Sequence, residues 1–274
     1  MAEERQRFMD GALKQGYSQD VAGRVFELVE PFAGYAFNKA HSISYAMIAY
    51  WTAYFKANFP EEYMAAVMNA HSGQSEKISI DVTECLRLGI PVLLPDINRS
   101  EASFSIDEAP KGGNGIRFGL SAVKNVGDSG ISPLIKERKA NGKYESIEDL
   151  CRRVNLSPLN KRGLESLIKS GAIDSLGERG SLLNSLDTIL SSSQRETKLR
   201  ESGQTTMFDL FGESVSKPIE KLPMGQAPIS KKEKLGFEKE MLGAFISENP
   251  LSFLAYQNPK NVIISKDNIE TGMN

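Results

Sequence analysis

The sequence has only two cysteines, Cys85 and Cys151, far apart and in no Cys-x-x-Cys arrangement. That excludes a disulfide-stapled fold and a cysteine-built metal framework, and it fits a reducing, cytoplasmic setting. A long apolar run is missing as well. The most apolar stretch, residues 43–55, falls short of the roughly 20 residues that a bilayer-spanning helix needs. The N-terminus, Met1-Ala-Glu-Glu-Arg5, lacks the apolar core of a secretory signal, so no membrane partner is expected. Nor is there an excess of charge of one sign. Lys and Arg number 33 against 35 Asp and Glu, and a net charge of −2 does not by itself point to a nucleic acid.

What charge there is lies unevenly. Residues 111–171 hold 12 Lys and Arg against 6 Asp and Glu, a net of +6, which leaves −8 for the remainder. A basic block inside an acidic chain suits a phosphate-bearing partner, or else a solvated helical surface. The length of 274 residues and the 40% hydrophobic content describe an ordinary globular chain of two domains, or one domain with appendages.

The basic block contains a helix-hairpin-helix pattern, Leu120-Ser-Ala-Val123-Lys-Asn-Val126-Gly127-Asp-Ser-Gly130-Ile131. Leu120 and Val123 are spaced as one face of a short helix. Gly127 is expected to take the positive φ of the turn. A second helix then carries Ile131, Leu134 and Ile135 on one side. Such a hairpin offers free N–H groups and a helix dipole to a phosphate, or it is a plain packing unit. A looser copy follows: helix 146–154, the turn Leu156-Ser-Pro-Leu159, and helix 160–170. This second turn keeps Pro158 and loses the glycine.

Around the hairpins the pattern is mostly helical. Residues 1–30 read as two helices parted by Gly16-Tyr-Ser18, with Ser18 or Asp20 as cap. A segment dense in Gly, aromatic and polar residues leads into an aromatic helix over 46–58. There Asn38, Lys39, His41 and Ser42 gather before a helix start, either to hold a phosphate or, in the case of Ser42, to cap the helix. Residues 61–70 and 75–88 read as helices, the latter ended by Gly89. Residues 91–94, 102–107 and 115–119 read as short strands. Residues 181–190 read as a helix, and 191–206 as a flexible Ser- and Gln-rich linker. Met207-Phe-Asp-Leu-Phe211 then places large apolar residues beside that linker, to tuck back or to dock on a partner. A last helix is expected over 234–246.

With these motifs in place, the chain resembles the bacterial replicative DNA polymerase III alpha subunit, a C-family polymerase. Phe32-Ala-Gly-Tyr-Ala-Phe-Asn-Lys-Ala-His-Ser-Ile-Ser-Tyr45 is similar to the family's fingers signature. Ile116-Arg-Phe-Gly-Leu-Ser-Ala-Val-Lys-Asn-Val-Gly127 and Leu159-Asn-Lys-Arg-Gly-Leu-Glu-Ser-Leu-Ile-Lys-Ser-Gly-Ala-Ile173 are similar to its tandem helix-hairpin-helix region. Leu242-Gly-Ala-Phe-Ile-Ser-Glu-Asn-Pro-Leu251 is similar to the segment before its OB domain.

The resemblance implies a mainly α fold with a small β element. Its parts would be the C-terminal fingers (1–90), a β element with the tandem hairpins (91–190), a linker with a clamp-binding peptide (191–233), and a segment leading to an OB domain (234–274). It implies that Lys39, His41 and Ser42 contact the incoming nucleotide. It assigns Lys124, Asn125, Val126, Gly127, Asn160, Lys161 and Arg162 to the backbone of duplex primer–template DNA. Gln204, Met207 and Phe208 would bind the sliding clamp. The family transfers nucleotides with two Mg²⁺ ions held by palm carboxylates. The sequence has no Asp-x-Asp pair. The chain is therefore expected to bind no cofactor and to be inactive alone, with catalysis supplied by the remaining polymerase domains or by a separate palm-bearing chain. A stand-alone helix-hairpin-helix DNA-binding module is the other reading.

Overall fold

The computed structural model describes residues 2–34, 39–202 and 221–248, and among these all side chains except those of 33, 34, 39 and 40. The chain divides into two units, Met1–Ala57 and Asn58–Asn274.

The first unit is helical: α1 (Ala2–Lys14), α2 (Gln19–Val29), a 3-10 turn (Glu30–Gly34) and α3 (Lys39–Asn58). Ser18 starts α2 by accepting the Val21 N–H at 3.3 Å. The α1–α2 hairpin buries only Ala22 and Phe26, the latter 5.5 Å ring to ring from Phe8. Helix α3 begins earlier than the sequence reading placed it. His41 and Ser42 lie in its first turns and not ahead of them, because no Gly or Pro interrupts residues 39–46. None of its described side chains is buried; Tyr50 is 67% and Trp51 51% exposed. A helix apolar on all sides is built for burial.

In the second unit, α4 (Pro60–Ala70) and α5 (Ser75–Arg87) precede a three-stranded sheet. Strand β3 (Asn114–Arg117) lies between β1 (Val92–Leu93), parallel to it, and β2 (Ser105–Glu108), antiparallel to it. Ile116 pairs with both Val92 and Ile106. Next come α6 (Asp128–Asn141), α7 (Ile147–Arg153), α8 (Asn160–Lys169), α9 (Arg179–Asn184), α10 (Leu186–Glu201) and α11 (Lys231–Leu242). One core runs from Met64 and Met68 through Ile116, Phe118 and Leu120 to Ile131, Leu134, Leu164 and Leu167. Each such side chain contributes about 1.5–3 kcal/mol by leaving water. Two asparagines clip loops onto this core with paired bonds to one backbone residue. Asn69 holds Phe104, and Asn98 holds Tyr144, at 2.8–2.9 Å.

Residues 191–201, expected as linker, form the second half of α10. The composition misleads because this helix turns polar side chains inward. Ser193, fully buried, donates to the Val154 carbonyl at 2.9 Å and accepts the Leu156 N–H at 3.0 Å. Arg200 donates to the Arg153 carbonyl at 2.7 Å. Farther on, the extended strap 221–230 returns along the unit: the Leu222 N–H meets Glu148 at 3.0 Å and the Ala227 N–H meets Ser181 at 3.3 Å. A Ser230–Glu233 capping box then starts α11.

Candidate nucleic-acid interface

The two hairpin turns are built alike. A 3-10 turn (Leu120–Ala122) precedes α6, and another (Ser157–Leu159) precedes α8. After each comes an asparagine with positive φ, Asn125 at 64° and Asn160 at 56°, the latter with an extended ψ of 171°. Asn tolerates this conformation better than most side chains. Gly127, expected to supply the positive φ, is extended at φ −108° and serves as the N-cap of α6. The asparagines were the available signal: Leu-Ser-x-apolar precedes both, at Leu120 and at Leu156.

The hairpins share a tight seam. A Cβ on Gly130 of α6 would stand 3.0 Å from Leu159 Cα. One on Gly163 of α8 would stand 3.0 Å from Leu159 Cδ1 and 3.4 Å from the Asn125 carbonyl oxygen. Asn125 Nδ2 donates to Ser166 Oγ on α8 at 3.1 Å. The N-termini of α6 and α8 are thereby neighbours.

Both N-termini keep backbone donors open. The N–H groups of Gly127, Asp128 and Ser129 have no acceptor among the described residues. The Val126 N–H is engaged by Val123, and the Lys124 N–H by the Met241 carbonyl of α11 at 3.0 Å. At α8, Asn160 Oδ1 takes the Gly163 N–H at 3.0 Å. The N–H groups of Lys161 and Arg162 remain without an acceptor among the described residues. Their environments differ in charge. Asp128 sits in the first turn of α6, its carboxylate held by the Ser121 hydroxyl at 2.5 Å. The first turn of α8 has no acid. The side chains of Lys124 and Arg162 are exposed, with no ion pair among the described residues. Lys161 is exposed but pairs with Asp187 at 2.7 Å.

Much of the basic block is internal scaffolding rather than surface. Arg117, buried, binds Asp107 and the Leu94 carbonyl, both at 2.7 Å. Arg138, buried, caps the Ile97 and Ser100 carbonyls at 2.8 and 2.7 Å. Arg153 lies 4.5 Å over the Tyr144 ring and pairs with Asp149 and Glu137. Burial pushes the Tyr144 hydroxyl up to about 12. For Asp107, burial opposes ionisation, but Arg99 and Arg117 outweigh it and hold the carboxyl below its usual value. Lys139 and Lys169 pair with Glu101 and Glu165 at 2.7 Å. The surplus that faces solvent is Lys111, Lys124, Lys136, Lys143 and Arg162.

Of the other assigned residues, His41 and Ser42 belong to the first unit. His41 is exposed, its ring 4.2 Å from that of Tyr45, and Ser42 is half-buried in α3. The Lys39 side chain and all of Gln204, Met207 and Phe208 lie outside the described residues. Among the described residues no group of three or more His, Cys, Asp or Glu could hold a metal ion. No described helix is long and apolar enough to cross a membrane.

The 3-10 turn with α6, and α7 with α8, joined along one seam, make this a helix-hairpin-helix region, and a family model for the helix-hairpin-helix motif matches residues 89–182. Over 92% of its length the chain is 42% identical to the DNA polymerase III subunit alpha of Borreliella burgdorferi. It is 39% identical to that of Thermus aquaticus and 38% to that of Escherichia coli K12, each again over 92% of its length. The chain spans about a fifth of these relatives, 22%, 20% and 21% in turn. The resemblance to the DNA polymerase III alpha subunits thus holds over nearly the whole chain, which matches one region of them.

Proposed function

We propose that this chain is the duplex-holding portion of a DNA polymerase III alpha subunit in chromosomal replication. The observation that carries the reading is the pair of adjoining helix N-termini. Each has open N–H donors and a basic side chain without an ion pair among the described residues, Lys124 beside α6 and Arg162 in α8. Backbone donors and a helix dipole bind phosphate and read no base, which suits a polymerase that must hold every sequence. In this reading α3 belongs to the fingers, with Lys39, His41 and Ser42 toward the incoming nucleotide. Gln204, Met207 and Phe208 bind the sliding clamp as a linear peptide. The Mg²⁺ carboxylates belong to a palm outside this chain, which by itself extends no primer in the cytoplasm or in a test tube.

The test is duplex binding by fluorescence anisotropy across a salt series. Lys124→Ala with Lys161→Ala and Arg162→Ala is expected to weaken binding to all sequences alike. It should also flatten the log–log salt slope by about 0.9 for each phosphate no longer neutralised. An unchanged slope removes the hairpins from the interface.

A further inference from the structure

We infer that Asn125 is a positioning residue: its side-chain amide fixes the first hairpin turn against α8 and does not contact phosphate. This deepens the duplex-binding reading above and rests on it for its functional consequence.

The two asparagines with positive φ use their side chains differently. Asn160 acts locally, on the Gly163 N–H at 3.0 Å. Asn125 reaches across the seam to Ser166 Oγ at 3.1 Å, 41 residues on. Ser166 is 2% exposed, so it cannot touch a ligand itself. The Asn125 carbonyl also closes over Gly163, where a Cβ would stand 3.4 Å away. Turn and helix therefore meet through one hydrogen bond and one bare backbone approach. The bond ties the open donors of Gly127, Asp128 and Ser129 to those of Lys161 and Arg162 as one rigid pair. When two weak sites are rigidly paired, the second engagement of the same duplex becomes intramolecular, and that gain disappears if their spacing drifts. Without the tie each donor set stays intact and only the spacing is loose.

Three variants test this: Asn125→Gly, which keeps the left-handed backbone and removes the amide; Ser166→Ala; and the double variant. Each is measured against a duplex of about 16 base pairs and one of about 6, about 20 Å long at 3.4 Å of rise per base pair, which offers fewer phosphates to the two helix ends. The expected result is a loss of about fivefold on the long duplex for either single variant, a small part of the gain that pairing two sites gives. The double variant should lose no more, and the short duplex should be bound as by the unmodified chain. If Ser166→Ala binds normally while Asn125→Gly weakens both duplexes, Asn125 touches DNA directly and the inference fails. If all variants weaken both duplexes in step with a lower melting temperature, the role is merely structural and the inference fails again. Hydrogen exchange on the free protein keeps the two readings apart. In Ser166→Ala the Val126 N–H, bonded to Val123 at 3.1 Å, should exchange faster while the Ser170 N–H does not. If the unmodified chain binds neither duplex, the DNA reading falls, and this exchange result alone supports or overturns the tie.

Discussion

The Ala227 carbonyl of the returning strap lies directly over Gly180 of α9, so closely that no Cβ fits between them. The approach is backbone to backbone, and neither side can rotate away. It sits beside the bond from the Ala227 N–H to Ser181 Oγ at 3.3 Å.

Gly180→Ala is therefore expected to lift the strap. Overpacking of this kind costs about 1–3 kcal/mol. At about 2–4 °C per kcal/mol for a domain of this size, the melting temperature should drop by several degrees. Limited proteolysis should open new cleavage sites within 221–230. An unchanged digestion pattern would mean that the strap adapts without leaving its place.

Asp187 restrains one of the hairpin cations. Its carboxylate meets Lys161 at 2.7 Å, with both side chains exposed. An exposed pair of this kind adds little to stability, but it competes with a phosphate for the same ammonium. Asp187→Asn should leave the melting temperature within about a degree while tightening duplex binding severalfold and steepening the salt slope by up to about 0.9. Equal affinity for the two forms would place Lys161 outside the DNA interface.

The fold was legible where local chemistry and packing agree. Ser18 capping α2, Gly89 closing α5, and the short strands before the first hairpin all follow from residue type and alternation. It was illegible where polar residues face inward. The second half of α10 reads as linker because Ser193 and Thr197 replace an apolar stripe: Thr197 donates to the Ser193 carbonyl within the helix, and the partner of Ser193, the Val154 carbonyl, belongs to another element. The site shows the same division. The hairpins were readable as a pattern and their basic block as a charge excess. That Arg117, Arg138 and Arg153 spend their charge on internal carbonyls and carboxylates depends on how separate elements pack. The turn residue was misread for a local reason: glycine is the usual left-handed residue, but asparagine also occupies that region, and Gly127 was left extended.

The two thiols should be inert in the folded protein. Burial pushes both Cys85 and Cys151 up to about 12, with nearby carboxylates, Asp81 and Glu84 for the first and Glu148 and Glu196 for the second, acting in the same direction. The thiolate is the reactive form, so almost none is present at pH 8. A chromogenic disulfide reagent should titrate no thiol in native buffer and both in denaturant. Rapid reaction of either one under native conditions would show that its surroundings open readily.

Asp149 should give the protein a specific weakness in acid. Its carboxylate is buried in α7, bonded to Arg152 at 2.9 Å and Arg153 at 3.0 Å, and it accepts the Glu145 N–H at 3.2 Å. Burial by itself would raise this carboxyl; the Glu145 N–H, Arg153 and Arg152 outweigh it and hold the group below its ordinary 3.8. A carboxyl depressed in the folded state stabilises the fold fully above its unfolded value. That contribution is lost as pH falls through the depressed folded value. Asp149→Asn should therefore cost about 3 kcal/mol at pH 7, as losing one partner of a buried ion pair does. The gap between the two forms should narrow below about pH 4, where the unfolded carboxyl takes up a proton, and close as pH falls through the lower folded value. Urea unfolding at pH 7, 4 and 3 measures the gap directly, and a gap of constant size across that range would show that the Asp149 charge contributes nothing to folding.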